Sequence, residues 1–171
     1  MKKALLIIIS GMLLIFTGCA GAATAESIPQ QSGFNFIFKY GVTGRNTLDT
    51  FQGTFTKDMV TDPAITIELT LSQAEMDSIY QKMVEIDFFN YPDKFSVHVA
   101  DNETKTEVAP YATYFFRVEY EGKTKELLWH DKYVNSDVQA DKLKELISLI
   151  KSIIEAKDEY KALPAPSGGY I

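Results

Sequence analysis

The chain has few of the side chains that bind metals or act as nucleophiles. Cys19 is the sole cysteine among its 171 residues, and His98 and His130 are its two histidines. A disulfide within one chain is therefore excluded, as is a zinc site built from several thiolates. The histidines form no i,i+4 pair, so a zinc site would need both of them and a carboxylate. We expect ordinary loop or strand-end histidines and no bound metal or cofactor. The carboxylates that could complete such a zinc site are Asp101, Glu103 and Asp131.

Motifs for catalysis are missing as well. The chain has no Gly-x-Ser-x-Gly turn for a nucleophilic serine. Ser148 and Lys151 have the Ser-x-x-Lys spacing, but helical periodicity places both on the polar face of a predicted helix. Residues 41–44 lack the Gly-Lys-Ser/Thr that completes a phosphate-binding loop, so they predict a hairpin turn. We therefore predict no catalytic residue. Acidic residues considered for paired acid–base chemistry, all expected at solvated positions, are Asp49, Asp58, Glu68 and Glu119.

The chain also lacks an excess of basic residues. It has 17 Lys and Arg against 23 Asp and Glu, which gives a formal net charge of −6 at pH 7. Nucleic acids and anionic lipid headgroups attract clustered Lys and Arg. The composition therefore predicts no nucleic-acid partner.

The N-terminal segment carries the most informative pattern. Lys2 and Lys3 precede an apolar run over 4–16, which is shorter than the roughly 20 residues that a spanning helix needs. This arrangement is typical of a secretory signal peptide. Residues 16–19, Phe-Thr-Gly-Cys, resemble the lipobox of bacterial lipoproteins, although Phe16 stands where that motif usually has an aliphatic residue.

The resemblance implies cleavage before Cys19, so that residues 1–18 are a signal peptide and Cys19 becomes the mature N-terminus. It also implies a diacylglyceryl group on the sulfur, often with an acyl group on the nitrogen. Two acyl chains hold a protein stably on a membrane, whereas one holds it only marginally. Two alternatives stay open: ordinary cleavage after Ala23-Thr24-Ala25, which would release a soluble protein, and an uncleaved anchor helix.

Alternation of apolar and polar residues predicts strands in the first half of the chain. We expect residues 19–32 to form a flexible tether, because they are small and polar without periodicity. Further strands are expected over 47–57 and 65–71, with a break at Asp62-Pro63. The aromatic residues that alternate in the first strand are Phe34, Phe36, Phe38 and Tyr40.

Two capping boxes predict two helices. The first box, at 72–75, begins a helix that should end near Asp87. The second, at 136–139, begins a long amphipathic helix that should reach about Tyr160. Between them we expect a short strand over 95–99 and a hairpin whose strands are 111–120 and 124–130.

The elements predict an α+β domain over 33–162. We expect a mostly antiparallel sheet of about five to six strands with two amphipathic helices on one face, because two layers bury the apolar side of each element. The remaining residues, 163–171, have no periodicity and are predicted to be a disordered tail. Phe115 should face away from the core, where an exposed aromatic residue would indicate a ligand surface.

The length, the lipobox and the two-layer pattern together resemble the small, mostly uncharacterised lipoproteins of Gram-positive bacteria. Beyond the lipobox, this resemblance is carried by the aromatic strands and by the capped helix at 71–76. It implies a lipid anchor at Cys19 on the extracytoplasmic face of the cell membrane, and no activity. We expect a non-enzymatic interaction or binding module with an envelope protein partner. The alternatives are a small envelope hydrolase, with a site in 88–110 and around His130, and a ligand or metal carrier.

Overall fold

The computed structural model describes residues 33–170. The predicted signal peptide, Cys19 and the tether lie outside the described residues. The strands are β1 (Asn35–Tyr40), β2 (Asn46–Asp49), β3 (Thr54–Met59), β4 (Asp62–Glu68), β5 (Lys94–Phe95), β6 (Glu107–Tyr120) and β7 (Lys123–Tyr133). The helices are α1 (Gln73–Glu85), α2 (Val138–Ala156) and α3 (Asp158–Lys161), with one 3₁₀ turn at Phe88–Asn90.

The seven strands form one sheet in the order β4-β3-β2-β1-β6-β7-β5. Every neighbouring pair is antiparallel except β5 and β7, which are parallel. The predicted α+β class and mostly antiparallel sheet are confirmed, with more strands than expected. One reason is that the segment 47–57 divides into β2 and β3. The Asp49 carboxylate accepts hydrogen bonds from the backbone N–H groups of Phe51 and Gln52, which stabilises a turn between the two strands.

A second difference concerns Asp62-Pro63, which was expected to break the chain. Both residues belong to β4. Because β4 lies at the edge of the sheet, its Pro63 can lack an N–H without removing a hydrogen bond from an interior ladder.

The tight turn predicted between β6 and β7 is confirmed. Glu121 and Gly122 both have positive φ, 48° and 71°, as the turn of a two-residue hairpin requires.

The core lies between one face of the sheet and the helices. Phe38 and Phe116 lie opposite each other on β1 and β6, and both side chains are completely buried. Ile79 and Met83 cover this face from α1, while α2 covers it with an apolar stripe. The buried residues of that stripe are Ala140, Leu143, Leu146, Ile147, Ile150 and Ile154. Both helices therefore pack on the same face, as expected.

The capping boxes have different outcomes. At α1, Ser72 caps the helix and the Glu75 carboxylate accepts from the Ser72 backbone N–H, so this box is confirmed. At α2 the N-cap is Asp137, one residue after the predicted Ser136. The Asp137 carboxylate accepts hydrogen bonds from Gln139 N (2.8 Å) and Ala140 N (3.0 Å). A carboxylate at a helix N-terminus also interacts favourably with the helix dipole, which favours Asp137 over a hydroxyl.

Two elements end earlier than predicted. Of the expected strand 95–99, only Phe95 pairs with β7, together with Lys94 before it, although Val97 and Val99 are buried. The long C-terminal helix is interrupted at Lys157, whose backbone is extended, and α3 follows it. Within residues 33–170, no helix combines the length and the apolar character needed to cross a membrane.

We expect the Asp137→Ala variant to lose about 1–2 kcal/mol of unfolding free energy. The substitution removes the cap of α2, and it also removes the acceptor of the His98 backbone N–H, which lies 2.8 Å from Asp137 Oδ2. Urea denaturation followed by circular dichroism measures the loss. The Ser136→Ala variant is the control, since Ser136 is exposed and does not cap the helix. Equal losses for both variants would contradict the assignment of the cap.

The Asp137 carboxylate also makes the stability of the folded domain depend on pH. Burial pushes the pKa of Asp137 upward, but the N–H groups of His98, Ala140 and Gln139 outweigh it and hold the pKa below its ordinary value. Such a group stabilises the folded state above its unfolded-state pKa and loses that contribution as the pH falls through its folded-state pKa. Asp137→Asn keeps a capping oxygen without the charge, so its deficit should be present at pH 7 and absent at about pH 2.

Candidate binding cleft

The two histidines do not form a site with each other. Both side chains are exposed. His130 Nδ1 lies 3.1 Å from Thr113 Oγ1, and its ring packs edge-on against Tyr111. The backbone N–H of His98 donates a hydrogen bond to the Asp137 carboxylate. Among residues 33–170 there is no group of three His, Asp or Glu side chains placed to hold a metal ion. Within the described part of the chain, the two histidines are thus not gathered into one site with carboxylates.

Ser148 and Lys151 lie on α2, as expected. Ser148 is exposed and lines a shallow cleft of about 240 Å³. The Lys151 ammonium lies 5.7 Å from the centroid of the Tyr40 ring, so it interacts with the aromatic face. Its neighbour on the helix, Glu155, borders both this cleft and a second one. The Ser-x-x-Lys spacing therefore reflects one polar helix face.

The second cleft, which we call the C-terminal cleft, has a volume of about 300 Å³. It lies where the ends of β1 and β3 meet the last turns of α2, α3 and the C-terminal segment. Polar and aromatic side chains converge on it; six of them are Tyr40, Lys57, Asp58, Lys151, Tyr160 and Tyr170. A concave site with a few convergent polar groups has the general form of a ligand-binding site.

Lys57 and Asp58 are the two charged residues that the fold buries at this cleft. Their exposed fractions are 8% and 7%. Lys57 points to the inner side of β3 because it follows Phe55 at the two-residue period of a strand. The pairing of β3 with β4 shifts register between Lys57 and Met59, and such an irregularity allows two consecutive residues to be buried. The expectation of a solvated Asp58 is therefore wrong.

The buried Lys57 ammonium is paired with groups from the C-terminal end of the chain. Its Nζ donates a hydrogen bond to the Pro164 carbonyl oxygen at 2.9 Å. It also lies 4.8 Å from the centroid of the Tyr160 ring. These partners matter because a buried charge without compensation is strongly unfavourable.

Asp58 is paired in the same way. One carboxylate oxygen accepts from the Val60 backbone N–H at 3.1 Å, and the other accepts from the Tyr170 hydroxyl. The Asn46 side chain accepts from Asp58 N and donates to Tyr40 O, at 3.1 Å and 3.2 Å. The ends of β1, β2 and β3 are thus joined by one hydrogen-bonded network.

Two tyrosines of the cleft, Tyr40 and Tyr160, have raised pKa values. Burial raises the pKa of the Tyr40 phenol well above its ordinary value, and Tyr160 and Glu155 add to the rise. Burial, with a contribution from Glu155, also raises the pKa of Tyr160. Both phenols are neutral at physiological pH, so they can donate hydrogen bonds to a ligand and offer apolar ring surface.

The segment predicted to be a disordered tail lies against this network. Ser167 forms a parallel bridge with Val60, and its hydroxyl hydrogen-bonds to Thr61 and to the Asp62 carboxylate. Tyr170 reaches Asp58 and also lies 3.3 Å from Thr43 Oγ1. The expectation was wrong because the segment is held by separate polar contacts, which leave no periodic apolar pattern in the sequence.

Sequence reasoning missed these residues, although two signals point to them. Lys57 occupies a position that the alternation from Phe55 assigns to the inner face of the strand. Tyr170 is the only aromatic residue among the small and polar residues of 163–171. Each is an ordinary observation in isolation. The tertiary structure is what brings the Tyr170 hydroxyl to Asp58, the residue after Lys57 on β3.

The face of the sheet opposite the helices has no covering element among residues 33–170. Phe115 on this face is half-buried, with the Lys39 ammonium 5.9 Å from its ring centroid. A third cleft of about 310 Å³ lies nearby between Asp49, Phe51 and Arg117. Phe115 thus does not stand out as a fully exposed aromatic residue.

Comparisons with protein-family models, with curated proteins and with solved structures found no match to this chain.

Proposed function

We propose that this protein is a lipid-anchored, non-enzymatic interaction module on the extracytoplasmic face of the cell membrane. The observation that carries the proposal is the N-terminal order of Lys2-Lys3, an apolar run over 4–16, two small residues and Cys19. This order and spacing resemble a lipoprotein signal peptide. A diacylglyceryl group on Cys19 supplies the two acyl chains that stable anchoring requires.

The described domain supports a binding role through the C-terminal cleft. Its polar groups come from separate elements, and they are arranged to hold an extended backbone and a hydroxyl group. Lys57 holds a carbonyl oxygen and Asp58 holds a phenol, and both charges are buried. Buried charges with fixed hydrogen-bond geometry favour a specific partner over a non-specific surface.

Mass spectrometry of the mature protein, purified from membranes of an expressing bacterium, tests the anchor. We expect the chain to begin at Cys19 with the mass of a diacylglyceryl group, with or without an N-acyl group. A chain that begins at Glu26 and carries no lipid would overturn the proposal, because that product is expected from cleavage after Ala23-Thr24-Ala25.

The interaction role has its own measurement in the same membranes. Chemical cross-linking of the intact cells, followed by affinity capture of the protein, should recover a specific envelope protein. The matched control carries Asp58→Asn, which removes one charge from the cleft and leaves the anchor intact. Capture of the same proteins at the same yield by both forms would show that the cleft does not carry the interaction.

A further inference from the structure

We propose that the C-terminal segment 164–170 is an internal occupant of a peptide-binding groove, and that an extended segment of a partner protein displaces it. The groove consists of the outer end of β3, the loop to β4 and the C-terminal cleft beside them. This inference rests on the proposed function, since it names the surface and the kind of partner of the interaction module.

The polar contacts of the segment are made by Pro164, Ser167 and Tyr170. Pro164 supplies a carbonyl oxygen to Lys57, Ser167 pairs with the strand connection at 60–62, and Tyr170 donates to Asp58. The groove therefore binds a backbone carbonyl, a hydroxyl-bearing residue and a phenol in that order along the peptide.

The fit includes one close backbone approach. A Cβ atom on Gly168 would lie 2.9 Å from the Thr61 side chain, and Gly168 has φ of 81°. Glycine avoids both the clash and the strain of this conformation. The segment is thus seated at short range on the groove, rather than passing over it at a distance.

The segment is nevertheless held weakly. Residues 164–169 are all exposed, and Leu163 and Tyr170 at its two ends are only half-buried. Its attachment depends on single polar contacts, and regions with few buried apolar contacts open at low free-energy cost. Covalent attachment gives it an effective concentration of the order of millimolar, which compensates for low intrinsic affinity.

The receptor side, in contrast, is part of the rigid domain. Lys57 and Asp58 lie on a strand whose inner neighbour Phe55 is completely buried. The Tyr160 ring packs edge-on against Phe55, which fixes the aromatic partner of Lys57. A groove that keeps its shape when the occupant leaves loses little free energy on exchanging one peptide for another.

The cleft also has room that the segment does not fill. About 300 Å³ remains open beside Pro166 and Tyr170, bordered on the far side by Tyr40 and Lys151. A partner peptide can match the contacts of the internal segment and place a further side chain there. This additional contact is the advantage that allows a separate chain to compete with the tethered one. The occupant we propose is therefore an extended, proline-containing peptide with a tyrosine six residues after its first anchoring carbonyl.

The test measures binding of a fluorescent probe, a heptapeptide with the sequence of residues 164–170 and an amidated C-terminus, by anisotropy. The receptor is the detergent-solubilised full chain, either wild type or carrying Ser167→Ala and Tyr170→Phe. The two substitutions weaken the internal segment, so the groove is vacant for a larger fraction of the time. The apparent affinity should rise by about 10-fold or more, since apparent affinity scales with the competent fraction.

Selectivity for the phenol provides the second arm. A probe carrying the change equivalent to Tyr170→Phe should bind the weakened-segment receptor about 10-fold less tightly, because it lacks the hydrogen bond to a carboxylate. This arm compares two peptides on one and the same receptor, so their ratio does not depend on a difference in stability between receptor variants. Equal binding of both probes, or no gain on weakening the internal segment, would overturn the proposal and leave residues 164–170 as a structural strap.

Hydrogen exchange on the wild-type chain gives an independent readout. Excess probe should accelerate exchange at the amides of 167–170 and leave the amides of β1 and β6 unchanged, because only the internal segment is displaced. Unchanged exchange in 167–170 at saturating probe would also overturn the proposal. Neither outcome bears on the lipid at Cys19, so failure of the groove and failure of the anchor remain distinguishable.

Discussion

The Phe116→Ala variant is expected to lose about 3–5 kcal/mol of unfolding free energy, which is a large share of the stability of a domain of this size. Phe116 is completely buried at the middle of the sheet, where β6 pairs with both β1 and β7. Its ring stacks on Phe38 at 4.6 Å between centroids and meets Phe88 edge-on at 5.2 Å. Alanine would leave a cavity between the sheet and the 3₁₀ turn that rigid neighbours cannot fill.

Phe115→Ala is the matched control, because it removes the same side chain from the adjacent residue of the same strand. Phe115 lies on the opposite, uncovered face and is half-buried, so we expect a loss of about 1 kcal/mol. Urea unfolding at pH 7, with the m-value compared between variants, measures both losses. Similar losses from the two substitutions would contradict the assignment of the core to the helix-covered face.

The Cys19→Ser variant is expected to lose all incorporation of labelled fatty acid into the protein. The hydroxyl of serine cannot form the thioether that attaches the diacylglyceryl group, and Cys19 is the only thiol in the chain. Each buried methylene contributes about 0.8 kcal/mol to membrane attachment, so losing both chains removes the proposed anchor. Metabolic labelling with an alkyne fatty acid, followed by gel fluorescence, measures the incorporation.

Ala25→Leu is the control for this experiment. It blocks cleavage after Ala23-Thr24-Ala25, because ordinary signal peptidase needs a small residue at that position. If lipid is attached at Cys19, labelling of Ala25→Leu should equal that of the wild type. Labelling that persists in Cys19→Ser, or processing that stops in Ala25→Leu, would contradict the assignment of Cys19.

Regular periodicity made most of the fold predictable. The alternation of Phe36 and Phe38 identified the inner face of β1, and the pattern around Glu121-Gly122 identified the β6–β7 hairpin. The box at Ser72 identified the start of α1 to the residue. These features are local: each depends on a repeat or a turn that a few consecutive residues specify.

Periodicity and local motifs did not predict most of the candidate site. Asp58 was expected at a solvated position just after the predicted strand 47–57, and the register shift that buries it arises from pairing with β4. The cap of α2 was placed one residue early, at Ser136, because both Ser136 and Asp137 are acceptable N-cap residues. The Asp137 carboxylate has a second partner in the His98 backbone, 39 residues away in sequence.

The amino-acid sequence by itself determined the α+β class, the apolar faces of the strands and helices, and the N-terminal pattern on which the lipoprotein proposal rests. Each of these features depends on residues that are close together in the sequence. Only the tertiary structure decided that Lys57 and Asp58 are buried and that Pro164 and Tyr170 pair with them. Those contacts join residues more than 100 positions apart through single hydrogen bonds, and a single hydrogen bond imposes no pattern on the residues around it.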